Sequence, residues 1–283
     1  EEESLFSERR QALAQTHEFE QMAPQLTARD KRFLIKYPDM TPNVNVNFIL
    51  LSNSPLAEQE RFGLTLERLY ADFHAVMHGS SMEAGHKERG HICFFQNRAA
   101  YISAVKSLEK KHAFHATLGY YAPVENCIYL FSRRHSLEAQ RMLDKYDYNL
   151  HLGKKLYKGR ALLEYRNNIS AAKQKYLQSL YEKNLCTLRH EATHRLAHVN
   201  GLHSQRNFEK KWLIEGLAQY FETEIPGQPR REKKAMLVSD RKKDKLFPWE
   251  ELINSNETSF DSSRSHDKQL AYSQSWLLVR YLM

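Results

Sequence analysis

Residues 183–201 read Lys-Asn-Leu-Cys-Thr-Leu-Arg-His-Glu-Ala-Thr-His-Arg-Leu-Ala-His-Val-Asn-Gly. Leu185, Leu188, Ala192, Leu196, Ala197 and Val199 fall at helical spacing, and Asn200-Gly201 supplies a C-terminal stop. The pattern predicts a helix from about Lys183 to Val199 with His190-Glu-Ala-Thr-His194 in its middle. A helix turns about 100° per residue, so His190 and His194 share a face one turn apart. Two imidazoles so placed can hold one ion, with Glu191 beside them as a carboxylate that is not a ligand. The spacing points to zinc and a carboxylate base. Two histidines that merely share a helix face are the bland alternative.

Such a site needs a third ligand. Eighteen positions after His194 begins Trp212-Leu-Ile-Glu-Gly-Leu-Ala-Gln-Tyr-Phe-Glu222. Trp212, Leu213, Leu217, Ala218, Tyr220 and Phe221 form the apolar stripe of a second helix, and Glu215 lies inside it. A carboxylate among buried positions is costly unless paired or bound to metal. Glu215 is therefore the expected third ligand. Glu222, seven residues on and on the same face, is the reserve; His198 and His203 are further alternatives, and a salt-bridged Glu215 is the plain reading. Gly216 and Ala218 are small and permit close approach to the histidine helix.

The pair of segments, His190-Glu191-x-x-His194 and Trp212-x-x-Glu215-Gly216-x-Ala218, resembles the gluzincin metallopeptidases. It is most similar to poorly characterised bacterial domains of that superfamily. The likeness runs from about Val44 to the chain end and is strongest over 187–222. It implies an α+β, zincin-like two-lobed fold: a small mixed sheet with helices above the cleft and a mainly helical lower lobe. It further implies zinc as cofactor, Glu191 as general base, and hydrolysis of peptide bonds in a peptide or protein substrate. Tyr272 would supply the oxyanion donor that several family members carry on a later helix, although a packed aromatic explains it equally well. The family also implies an edge strand that pairs with extended substrate, which would put Gly119 and Tyr120 at the binding edge. An ordinary β-hairpin accounts for 116–131 as well. The metzincin pattern fails, since Ala197 and Asn200 stand where it needs Gly and His.

Upstream, Val44-Asn-Val-Asn-Phe-Ile-Leu-Leu51 alternates like a strand, and Phe62 to Met77 reads as an amphipathic helix. His91–Gln96 reads as a second strand, Arg98–Lys110 as a helix, and 116–131 as two β-runs around a turn at 123–126. Residues 134–182 read as helices inserted near the cleft. The expected organisation is a helical appendage over 1–35, an upper lobe over 36–200, and a helical lower lobe over 201–283.

A net charge of +8 arises from 42 Lys and Arg against 34 Asp and Glu. Basic residues cluster at Arg230, Arg231, Lys233 and Lys234, at 241–245, and at Lys154, Lys155, Lys158 and Arg160. These read first as a solvated basic face. Nucleic acid or another anionic polymer is the less favoured partner, since acidic residues interrupt the run and no recognition motif accompanies it. No apolar run approaches the roughly 18–20 residues of a membrane span. Three cysteines exclude a full disulfide framework, and Cys186, one turn before His190, reads as structural. The acidic start without Met suggests a mature or trimmed form, with a secreted or cell-envelope location favoured and oligomeric state open. The rivals to a peptidase are a non-catalytic zinc-containing scaffold and a protease recruited to nucleic acid.

Overall fold

A computed structural model describes residues 25–77, 88–106, 118–202, 210–254, 260 and 265–283. The order is α1 (Ala28–Lys36), β1 (Thr41–Val44), β2 (Phe48–Ser52), α2 (Leu56–Met77), β3 (Gly90–Phe95), α3 (Arg98–Lys106), β4 (Gly119–Ala122) and β5 (Cys127–Phe131). Then come α4 (Leu137–Leu156), α5 (Gly159–Val199), α6 (Lys211–Tyr220), α7 (Arg231–Lys242), α8 (Trp249–Asn254) and α9 (Ser265–Leu282). The fold is α+β, mostly helical, with one mixed five-stranded sheet ordered β1-β2-β3-β5-β4. The β2–β3 and β3–β5 pairs are parallel and both outer pairs antiparallel. Parallel neighbours require a crossover, which α2 supplies between β2 and β3.

Alternation along the central strands builds two cores. Phe48, Leu50, Ile92, Phe94, Ile128 and Leu130 pack with Phe62, Leu66, Leu69 and Phe73 of α2 and Leu188, Ala192 and Leu196 of α5. The intervening Ile49, Leu51, Cys93, Phe95, Cys127, Tyr129 and Phe131 meet α1 and α3 on the opposite face. Side chains point to alternate faces along a strand, so sheets covered on both sides read as continuous apolar runs. Leu26 and Leu34 belong to the second core, and Asp30 of α1 pairs with His91 at 2.8 Å. The segment from Gln25 onward is thus part of the main body. Residues 1–24 of the expected helical appendage lie outside the described residues.

Two elements differ from expectation. The run Val44–Leu51 is two strands, with Asn45–Asn47 forming the turn: Asn45 N–H donates to the Phe48 carbonyl, and Glu67 of α2 accepts from the Asn47 amide and side chain at 2.8 and 2.6 Å. The helix expected from Lys183 begins instead at Gly159, because no Gly or Pro interrupts 160–199. Its first half packs against α4 as an antiparallel hairpin, and Gly159, at φ 57°, allows the chain to turn between them. The end of α5 is as expected: Leu202 N–H returns to the Ala197 carbonyl, and Gly201 is left-handed at φ 72°.

Among the described residues no helix is long and apolar enough to cross a membrane. Lys154, Lys155, Lys158 and Arg160 are exposed. The other basic cluster is not all solvated, since Lys233 is only 8% exposed and bonded to Glu222.

Candidate metal centre

The last turns of α5 lie beneath the outer edge of β4 and carry His190, Glu191 and His194. Helix α6 crosses them and is fixed there by Arg189, a fully buried side chain whose Nε donates to the Phe221 carbonyl at 2.8 Å and whose Nη2 reaches Asp72 of α2 at 3.4 Å. The crossing brings Glu215 to both rings. His190 Nε2 lies 3.1 Å from His194 Nε2, and Glu215 Oε2 lies 3.3 and 3.7 Å from them.

These three ligand atoms form a group suited to a metal. Ligands about 2.1 Å from a tetrahedral zinc stand about 3.4 Å apart, and the three separations bracket that value. Glu215 Oε2 is also buried with no hydrogen-bond partner despite the nearby rings, as befits an oxygen aimed at an ion. The side chains of His190, His194 and Glu215 keep 14, 12 and 14% of their surface open, so the group is not sealed from solvent. Burial alone would raise the Glu215 carboxyl, but His194, His190 and Lys211 hold it at about 2. Burial would lower the His190 imidazole, but Glu215, Glu191 and Glu222 outweigh it and raise it.

Glu191 faces the strand rather than the ring pair. Its Oε2 accepts the Tyr121 N–H at 3.0 Å. Burial and Glu215 push its carboxyl up to about 7, against the opposing pull of His190 and that amide. Gly119 fits because a Cβ there would meet Glu191 Cγ and Thr187 Cγ2, each at 2.9 Å. Strand groups alternate in direction, so the main chain of Gly119 and Tyr121 turns toward this outer edge. Tyr120 pairs across to Tyr129 and packs its ring on the second core. The sequence reading named Tyr120; the amide at the base is that of Tyr121.

The remaining candidates separate cleanly. The Tyr272 ring lies 6.5 Å from the His190 ring and edge-on to Phe260. Glu222 is directed away from the metal group, to Lys233 and to Arg230 at 3.3 Å. His198 packs on Tyr121, His203 lies outside the described residues, and Cys186 is not in the ligand group.

Gln219 was not anticipated, although its i+4 spacing from Glu215 was legible. Its amide nitrogen lies 3.2 Å from His190 Nδ1, while its Oε1 is buried without a partner. A half-turn of the amide would present the oxygen to an Nδ1–H, the tautomer that leaves Nε2 free to ligate. Gln219→Leu should weaken zinc binding about 10–100-fold in a competitive chelator titration; unchanged affinity would remove Gln219 from the site.

Gly216 does not face the histidine helix, as its size had suggested. A Cβ there would meet the Ser275 carbonyl of α9 at 2.6 Å and Val279 Cγ2 at 2.6 Å. Its backbone contact partner cannot yield as a side-chain tip would. Gly216→Ala should destabilise by about 1–3 kcal/mol in urea unfolding and, by moving α6, weaken metal binding. A variant as stable as the wild type would show that α9 yields freely.

Residues 184–283, which contain all three ligand residues, match a family model described as a protein of unknown function, DUF1570. No curated protein and no solved structure matches the chain.

Proposed function

We propose that the chain is a zinc-dependent peptidase of the gluzincin kind, hydrolysing peptide bonds in a protein or peptide substrate. The observation that carries this is the convergence of His190, His194 and Glu215 with Glu191 adjacent and an edge strand alongside. In this reading the sheet with α5 is the upper lobe of a zincin-like fold, and α6 to α9 form the lower. The cleft runs between them along β4.

Zinc supplies Lewis acidity, which makes water nucleophilic near neutral pH and polarises an amide carbonyl. His190, His194 and Glu215 hold it, with Gln219 orienting the first ring. Glu191 accepts a proton from the attacking water and delivers it to the leaving amine. The Gly119 main chain offers hydrogen bonds to extended substrate, as a sheet edge does. Tyr272, beside His190, is the proposed oxyanion donor.

The test is metal analysis of the purified chain followed by cleavage of a peptide library, with a chelated sample as control. One equivalent of zinc and cleavage that chelation removes is the expected result. A chain that never holds stoichiometric metal, or that holds it and leaves the library intact, defeats the proposal.

A further inference from the structure

Immediately after β5 the chain passes through Ser132 to Arg133, which α5 grips twice. Arg133 N–H donates to Asn184 Oδ1 at 3.0 Å, and its Nη2 donates to Thr187 Oγ1 at 3.1 Å. Thr187 is one helical turn before Glu191, and both abut Gly119. Arg133 therefore sits at the Gly119 end of β4, one helical turn along α5 from the proposed base.

Its electrostatic setting is unbalanced. Arg133 Nε is buried without a hydrogen-bond partner, and among the described residues no carboxylate lies within ion-pair distance of its guanidinium. The nearby charge is another cation, Arg230, which shares the single carboxylate of Glu222 with Lys233. Three cations thus surround one anion, with Glu138 the next acid, exposed at the start of α4. Burial and Arg230 both depress the Arg133 pKa. Charges out of water are costly unless matched, and a guanidinium matches a carboxylate with a two-pronged fork.

We propose that Arg133 and Arg230 form a carboxylate subsite beside the metal centre, taking an acidic side chain of the substrate or its C-terminal carboxylate. This rests on the peptidase reading only for what the ligand is. Thr187, which holds the Arg133 guanidinium, precedes Glu191 by one helical turn, a rise of about 6 Å, so the acidic group lies within a few residues of the cleaved bond.

The test is fluorescence anisotropy of labelled peptides on the Glu191→Gln chain, so that turnover plays no part. A short neutral, amidated host peptide carries one Glu walked along it, against the same series with Gln and a neutral host with a free C-terminal carboxylate. One register of Glu, or the free carboxylate, should bind about tenfold tighter than its neutral counterpart. The first outcome identifies a side-chain ligand and the second a chain terminus. Arg133→Gln and Arg230→Gln should each erase the preference, and Arg133→Lys should restore part of it, with folding checked by circular dichroism. Binding indifferent to charge, no binding, or a preference that survives both Gln substitutions overturns the subsite. Wild-type cleavage of neutral and acidic peptides alike would refute the subsite and leave the peptidase reading intact. Carboxylate-dependent binding with no cleavage anywhere would do the reverse.

Discussion

The Glu191→Gln chain is expected to hold its zinc and to cleave no peptide. Glu191 is not a member of the ligand group, so the substitution leaves all three ligands in place. Gln is isosteric and its carbonyl oxygen can still accept the Tyr121 N–H, so β4 should keep its position. What disappears is the ability to take up a proton. General-base assistance is worth about 10²–10⁴-fold, and here the same group also serves the leaving amine. Turnover should therefore drop by at least that factor at unchanged metal content. In the wild type the acid limb of kcat/KM should lie below pH 7. Burial pushes the Glu191 carboxyl up to about 7, and a neighbouring dication favours its charged form. Activity is lost as pH falls through that limb, because the protonated acid cannot act as base. Equal rates in mutant and wild type would exclude Glu191 from the chemistry. Loss of zinc in the mutant would show instead that Glu191 supports the ligands.

The pair of helices that carries the candidate metal group was legible because two separate signals agreed. Helical periodicity put His190 and His194 on one face, and burial energetics made Glu215 anomalous without a cation. The β-hairpin at 119–131 was equally plain, since apolar runs flank a polar turn and Asn126 accepts the left-handed φ of 47°. What escaped were pairings between distant residues. Nothing local marks Glu67 as the residue that fixes Asn47 and splits the first strand into two. Nothing in the basic run at Arg230–Lys234 distinguishes Lys233, which turns inward to Glu222 while Lys234 stays exposed. Gly216 shows the boundary well: its small size correctly signals a close helix approach, but only the packing reveals that the partner is α9.

Glu215 and Glu222 stand seven residues apart, and sequence alone offers either as the third ligand. Their surroundings predict opposite phenotypes. Glu215→Ala should lose metal by more than the roughly 10–100-fold expected for an outer-shell partner, since one of three ligand atoms is gone. In the metal-free fold its loss should also cost some stability near neutral pH, because His194, His190 and Lys211 hold the carboxyl at about 2 and so favour its charged form. Glu222→Ala should act chiefly on stability. Glu222 is 5% exposed and holds Lys233, itself 8% exposed, as well as Arg230. Removing one member of a buried pair typically costs about 3–5 kcal/mol, because the other charge stays buried without compensation. Here two cations would be left together beside Arg133, so the loss should sit at the upper end, with a fall in Tm on the order of 10 °C. Zinc affinity in the folded Glu222→Ala fraction should be close to wild type. Glu222→Gln, which keeps the side chain's shape, supplies the same comparison if the alanine variant does not fold. Chelator titration and thermal unfolding of the variants together decide the matter: metal lost with Glu222 and kept without Glu215 would reverse the assignment of the ligand.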